Sequence, residues 1–129
     1  MRTKTVQLRP YPLTLKVRLL LDPAESTGFQ TCHGCAETAR SQELLEIRVT
    51  LACYSKPAHS IFLTAVHEAV HVVQDMANLL GIDAFDVETQ AYWVEYVTQQ
   101  IVAFWQTSSQ KRSRESGYKI IAKSNKKKK

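Results

Sequence analysis

No apolar run in the 129 residues approaches the roughly 18 to 20 needed to span a bilayer, and residues 1–10 lack the apolar segment of a secretory signal. The expectation is a soluble, cytoplasmic protein with no membrane partner. Glycine and proline number only four each, too few for a disordered or collagen-like chain. No internal repeat is present, and the length leaves room for one domain, which excludes a multidomain enzyme. The three cysteines, Cys32, Cys35 and Cys53, are an odd count with two of them three residues apart. That pattern suits a reducing compartment, with a metal or free thiols, better than a disulfide framework.

Acidic residues are almost absent from the C-terminal end. Residues 111–129 hold nine Lys and Arg against the single Glu115, so they carry +8, while residues 1–110 carry −3 of the overall +5. The basic balance belongs to a tail, and a nucleic-acid-binding core is not implied. This divides the chain into a single domain at 1–108 and a flexible basic tail at 109–129. The tail reads either as a solvated appendage or as a non-specific contact to nucleic acid or another polyanion.

Within the domain, apolar and polar residues alternate at Lys4 to Arg9, at Leu13 to Leu21 and at Leu44 to Cys53, which predicts three half-buried strands. Residues 22–43 show no sustained period and read as a long loop carrying the Cys32-His33-Gly34-Cys35 stretch. A helix is expected from Pro57–Ser60 to about Leu80, stopped by Gly81. A second should be capped by Asp83 or Asp86 and run to about Trp105. The short connection between them makes the helices antiparallel neighbours. The expected fold class is therefore α+β, a small twisted sheet packed on two antiparallel helices.

The first helix carries the pattern His67-Glu68-Ala69-Val70-His71. Residues i and i+4 lie one turn apart on one face, so both imidazoles can reach one Zn²⁺ at about 2.0 to 2.1 Å. Glu68 then sits beside the ion as general base for a zinc-bound water. Random order of this composition would give the pattern in only about 0.7% of sequences, so chance is a minor explanation. The motif also falls in register with the helix's one polar stripe; the remaining circumference is apolar, so the helix is expected to be mostly buried, with the site between helices. Two histidines leave the shell short of a third protein ligand; Glu88, in the first turn of the second helix, is the leading candidate and Glu95 the reserve.

His67-Glu68-x-x-His71 followed by Glu88-Thr89-Gln90-Ala91 resembles the gluzincin metallopeptidases, and more closely the small ImmA/IrrE-like and phage-encoded members. The likeness covers roughly Leu44 to Phe104. It implies a minimal zincin-like core with His67, His71 and Glu88 as zinc ligands, Glu68 as the catalytic carboxylate, and a peptide or protein substrate. It further implies that Asp75 supports the metal ligands from behind without touching the ion, and that residues Glu46 to Ala52 of the strand Leu44 to Cys53 border the cleft and pair with an extended substrate. Where many gluzincins place Asp or Asn four residues after the ligand Glu, this chain has Tyr92. Candidates to stabilise the oxyanion are Tyr54, His59, Tyr92 and His33.

Several alternatives stay open. Cys32 and Cys35, completed by Cys53 and His33 or His59, could hold a second, structural zinc; they could equally be loop thiols, or a cysteine covering the catalytic metal. For His67, Glu68 and His71 the alternative is a hydrogen-bonded polar seam, and for Glu88 an acid favoured by the helix dipole. Trp93, Tyr96, Phe104 and Trp105 have helical spacing and read as packing residues rather than a base-stacking platform. The competing function is a non-catalytic, zinc-stabilised phage or mobile-element protein that binds nucleic acid or a host protein through its tail.

Overall fold

The computed structural model describes residues 1–26, 34–40, 45–54 and 56–127, with 26, 39–40 and 111–127 described as backbone alone. Strands β1 (Arg2–Gln7) and β2 (Leu13–Leu20) pair antiparallel across a turn in which Leu8 N–H donates to the Leu13 carbonyl and Tyr11 N–H to that of Leu8. A short 3₁₀ turn at Pro23–Ser26 follows, then β3 (Gly34–Arg40), β4 (Leu45–Ala52) and the helices α1 (Ala58–Leu79) and α2 (Val87–Lys127). The sheet order is β1-β2-β4-β3, with β4 parallel to β2 and antiparallel to β3. The protein is thus α+β, built on a four-stranded mixed sheet and two helices.

Alternation explains the core. Leu15, Val17 and Leu19 of β2 stand in register with Ile47, Val49 and Leu51 of β4, and all six are fully buried. Against them α1 sets Ile61, Ala65, Ala69, Val72 and Met76, while α2 adds Trp93, Val97 and Ile101. The alanines at 65 and 69 carry little side chain, which lets α1 approach the sheet closely.

The ends of α1 follow from local chemistry. Gly81 takes φ 73°, a left-handed conformation that glycine adopts without a Cβ clash. Ile82 N–H then donates to the Ala77 carbonyl and Gly81 N–H to that of Asn78, which closes the helix. Asp86 caps α2: Thr89 N–H donates to Asp86 Oδ1 at 2.7 Å, and Thr89 Oγ1 to Oδ2 at 2.9 Å. Gln90 beside Val73 and Ala77, then Val94 and Thr98 beside Val66 and Phe62, trace α2 back along α1.

Four expectations need correction. Residues 22–43 are not one loop, since they contain β3; its small residues escaped the alternation test because it is an edge strand lying close under α1. The second helix does not end near Trp105, because α2 continues to Lys127. After Trp105 the chain lacks proline and is rich in Lys, Arg, Ser and Gln, with Gly117 as the one strong breaker, and its terminal lysines suit a helix C-terminus. β4 is interior, paired on both sides, so Glu46 to Ala52 offer no free edge to a substrate; among the described residues the edge strands are β1 and β3. Finally, α1 is not apolar-buried around its circumference, because Phe62 and Leu63 are exposed. Among the described residues no helix is long and apolar enough to cross a membrane.

Candidate functional site

α1 has three flanks. Ile61, Ala65, Ala69 and Val72 meet the sheet, Phe62 and Val66 meet α2, and Thr64 and Glu68 meet β3. His67 and His71 fall beside this last flank and are exposed, so the site opens to solvent next to β3 rather than being buried between the helices.

The two imidazoles converge, with Nε2 to Nε2 at 3.2 Å and the rings 69° apart. Two nitrogens at that separation, each about 2.0 to 2.1 Å from one ion, subtend roughly 100 to 106° there, close to the tetrahedral angle of a zinc shell. The pair therefore fits Zn²⁺ as two of its ligands. Without an ion, the same approach is a hydrogen bond in which one ring donates and the other accepts.

Glu68 lies on the buried side of this pair and is only 5% exposed. Its Oε2 has no hydrogen-bond partner. Burial pushes its pKa above the ordinary carboxylate value, opposed by the nearby His71 and His67. Leaving a buried carboxylate oxygen unpartnered is costly, so Glu68 weakens the fold rather than holding it together.

Gly34 makes this arrangement possible. A Cβ there would lie 3.0 Å from Glu68 Cγ and from Thr64 Cγ2, and 3.3 Å from Glu68 Cδ. Only a residue without a side chain lets β3 run this close over the carboxylate. Gly34 and Thr64 were not singled out as site residues from the sequence; the available signal was an isolated glycine within a strand, which marks close approach.

Other candidates lie elsewhere. Among the described residues no three His, Cys, Asp or Glu side chains gather as a metal-holding group. Glu88 sits one turn before Tyr92, itself 60% exposed, on the face of α2 turned away from buried Val97 and Ile101. Glu95 lines the outer groove with Phe62 and Val66. Asp75, one turn past His71, is half-buried; burial raises its pKa and His71 draws it back, so the two are in electrostatic reach.

Cys35 is the neighbour of Gly34 in a strand, so it faces the opposite side of the sheet from Glu68 and does not cover the histidines. Cys53 is buried, its thiol contacting the Leu51 carbonyl, with a pKa pushed up to about 11 by burial. Cys32 and His33 lie outside the described residues. Tyr54 shares a hollow with Cys53 and Trp105, His59 is exposed in the first turn of α1, and Tyr92 stacks on Tyr96. None of the three is gathered at the histidine pair. The chain matches no family model, no curated protein and no solved structure.

Proposed function

We propose that the protein is a zinc-dependent peptidase of the gluzincin type, with His67 and His71 holding the metal and Glu68 as general base. The observation that carries this reading is two exposed imidazoles, 3.2 Å apart, beside a buried carboxylate whose Oε2 has no hydrogen-bond partner. Bound there, Zn²⁺ would supply a Lewis acid that polarises a substrate carbonyl and lowers the pKa of a water. Glu68 accepts the proton at Oε2 and passes it to the leaving amine. Its burial favours that role, since a carboxyl with a raised pKa is better matched to proton transfer near neutrality.

β3 takes the substrate-pairing role first expected of β4. It is a free edge that runs directly over Glu68, so an extended peptide added to it would pass beside the histidines. The ligand set on this reading is the histidine pair, with Glu88 as the proposed third ligand.

Elemental mass spectrometry of the purified protein, with His71→Ala and Glu88→Gln, tests the site. One zinc per chain, lost in His71→Ala, is expected; zinc retained in His71→Ala overturns the site. Loss in Glu88→Gln as well would assign it the third position. For the mechanism, Glu68→Gln should bind zinc and fail to cleave peptides that the parent cleaves. Equal cleavage by the two would refute the role given to Glu68.

A further inference from the structure

On the opposite side of the molecule from β3, the other free edge, β1, faces α2 across a groove of about 500 Å³. Lys4 and Arg9 border it on one side and Tyr92, Trp93, Tyr96 and Gln100 on the other. Trp93 is buried and forms the floor, its ring meeting Tyr96 edge-on at 5.6 Å and 87°. Tyr92 lies nearly parallel to Tyr96, with centroids 6.3 Å apart and planes 17° apart, yet it is 60% exposed. Tyr92 therefore adds little to the core while presenting an aromatic face to solvent.

The chemistry of the groove is selective. It offers π-faces for a planar ring and two cations, with no carboxylate among its lining residues. Stacked aromatics beside fixed positive charge are the features that hold a nucleobase and its phosphate. An extended peptide is the less suitable occupant, because Arg2 and Lys4 along β1 blunt that edge against strand addition.

We infer that the groove between β1 and α2 is a binding site for single-stranded nucleic acid, with a base stacked on the Tyr92–Tyr96 ridge and phosphates on Lys4 and Arg9. The site is independent of the metal reading and distinct from charge attraction to the basic end of α2. It also revises the sequence-based view of two of these aromatics: Trp93 packs, as expected, but Tyr96, with Tyr92 beside it, forms a platform.

The test uses the full-length protein and an eight-residue oligothymidylate, with affinity read by anisotropy and Trp93 by its fluorescence. Base-free polyphosphate is the control for charge alone. Tyr92→Ala should weaken the oligothymidylate about 5- to 100-fold and leave polyphosphate unchanged, while Tyr92→Phe keeps the stacking and the affinity. Lys4→Ala should reduce the salt dependence by about 0.7 in the slope of log K against log[salt]. Circular dichroism checks that each variant is folded. Equal affinity of parent and Tyr92→Ala, equal weakening toward both polymers, or loss of affinity in Tyr92→Phe to the level of Tyr92→Ala overturns the inference.

Discussion

Glu68 should destabilise the metal-free protein, and removing its charge should raise the melting temperature. The carboxyl is 5% exposed and its Oε2 is unpartnered. Leaving a buried polar group unsatisfied costs about 1 to 3 kcal/mol, more if it is charged. Glu68→Gln keeps the shape and drops the charge, so a gain of about 1 to 2 kcal/mol is expected near pH 7, or about 4 to 8 °C in Tm for a domain of this size. The pH dependence carries the sign. Burial raises the folded-state pKa above the ordinary 4.5, so the folded protein keeps a proton that the unfolded chain has released. Stability then falls as pH rises from about 4.5 through the folded-state pKa. The Gln variant lacks that slope. Thermal melts followed by circular dichroism in chelator, from pH 4 to 7.5, should show parent and variant converging at the acid end and separating toward neutrality. A variant less stable than the parent at pH 7, or a gap constant across the range, would refute the argument. A gain in stability together with loss of cleavage would be the trade expected of a residue kept for chemistry.

Two further outcomes follow from the local chemistry. Hydrogen bonds from Thr89 hold the exposed Asp86 carboxyl below its ordinary 3.8, so its capping contribution is present above that value and lost as pH falls through the lowered one. Asp86→Ala should lower Tm at pH 7 and do little at pH 2, while Asp86→Asn should retain most of the parent's stability, as read by melts at both pH values. Cys53, with its thiol pushed up to about 11, should resist iodoacetamide at pH 8 in the folded protein and react once unfolded. Peptide mapping by mass spectrometry reports this, and rapid labelling of Cys53 in the native protein would contradict its burial.

The parts of the fold legible in the sequence are those whose side chains carry a period. β2 and β4 alternate because one face of each lies in the core, and α1 could be bounded because Pro57 and Gly81 have fixed backbone preferences at its ends. β3 was illegible because Gly34, Cys35 and Ala36 lack the bulk that makes alternation visible. Such residues are also what its closeness to α1 demands. The far end of α2 was illegible for a different reason: helix-forming residues without an apolar stripe do not distinguish a solvated helix from a solvated coil. At the site, the i, i+4 spacing placed His67 and His71 together correctly, since it depends only on the helix. Which flank they occupy depends on where β3 and α2 pack. Glu88 was placed by the antiparallel return alone, which fixes its helix but not the face it takes, here opposite buried Val97 and Ile101.

Gly34 offers a direct test of how β3 and the carboxylate are coupled. Carbon atoms normally pack at about 3.5 to 4.0 Å, and a methyl group at residue 34 would start 3.0 Å from both Thr64 Cγ2 and Glu68 Cγ. Thr64 is β-branched and stiff, whereas Glu68 is unbranched and can swing, so Gly34→Ala should move Glu68 first. Overpacking costs about 1 to 3 kcal/mol, partly offset by the roughly 0.4 to 1 kcal/mol that alanine gains by restricting the unfolded chain. A net loss of about 1 kcal/mol is therefore expected. Thr64→Ala removes one of the two closest contacts, so Gly34→Ala with Thr64→Ala should be less destabilised than the sum of the single variants, by at least about 0.5 kcal/mol. Urea denaturation of the four proteins measures that coupling. Additivity within about 0.3 kcal/mol would mean that β3 does not press on α1 at this point, and the glycine would lose its explanation.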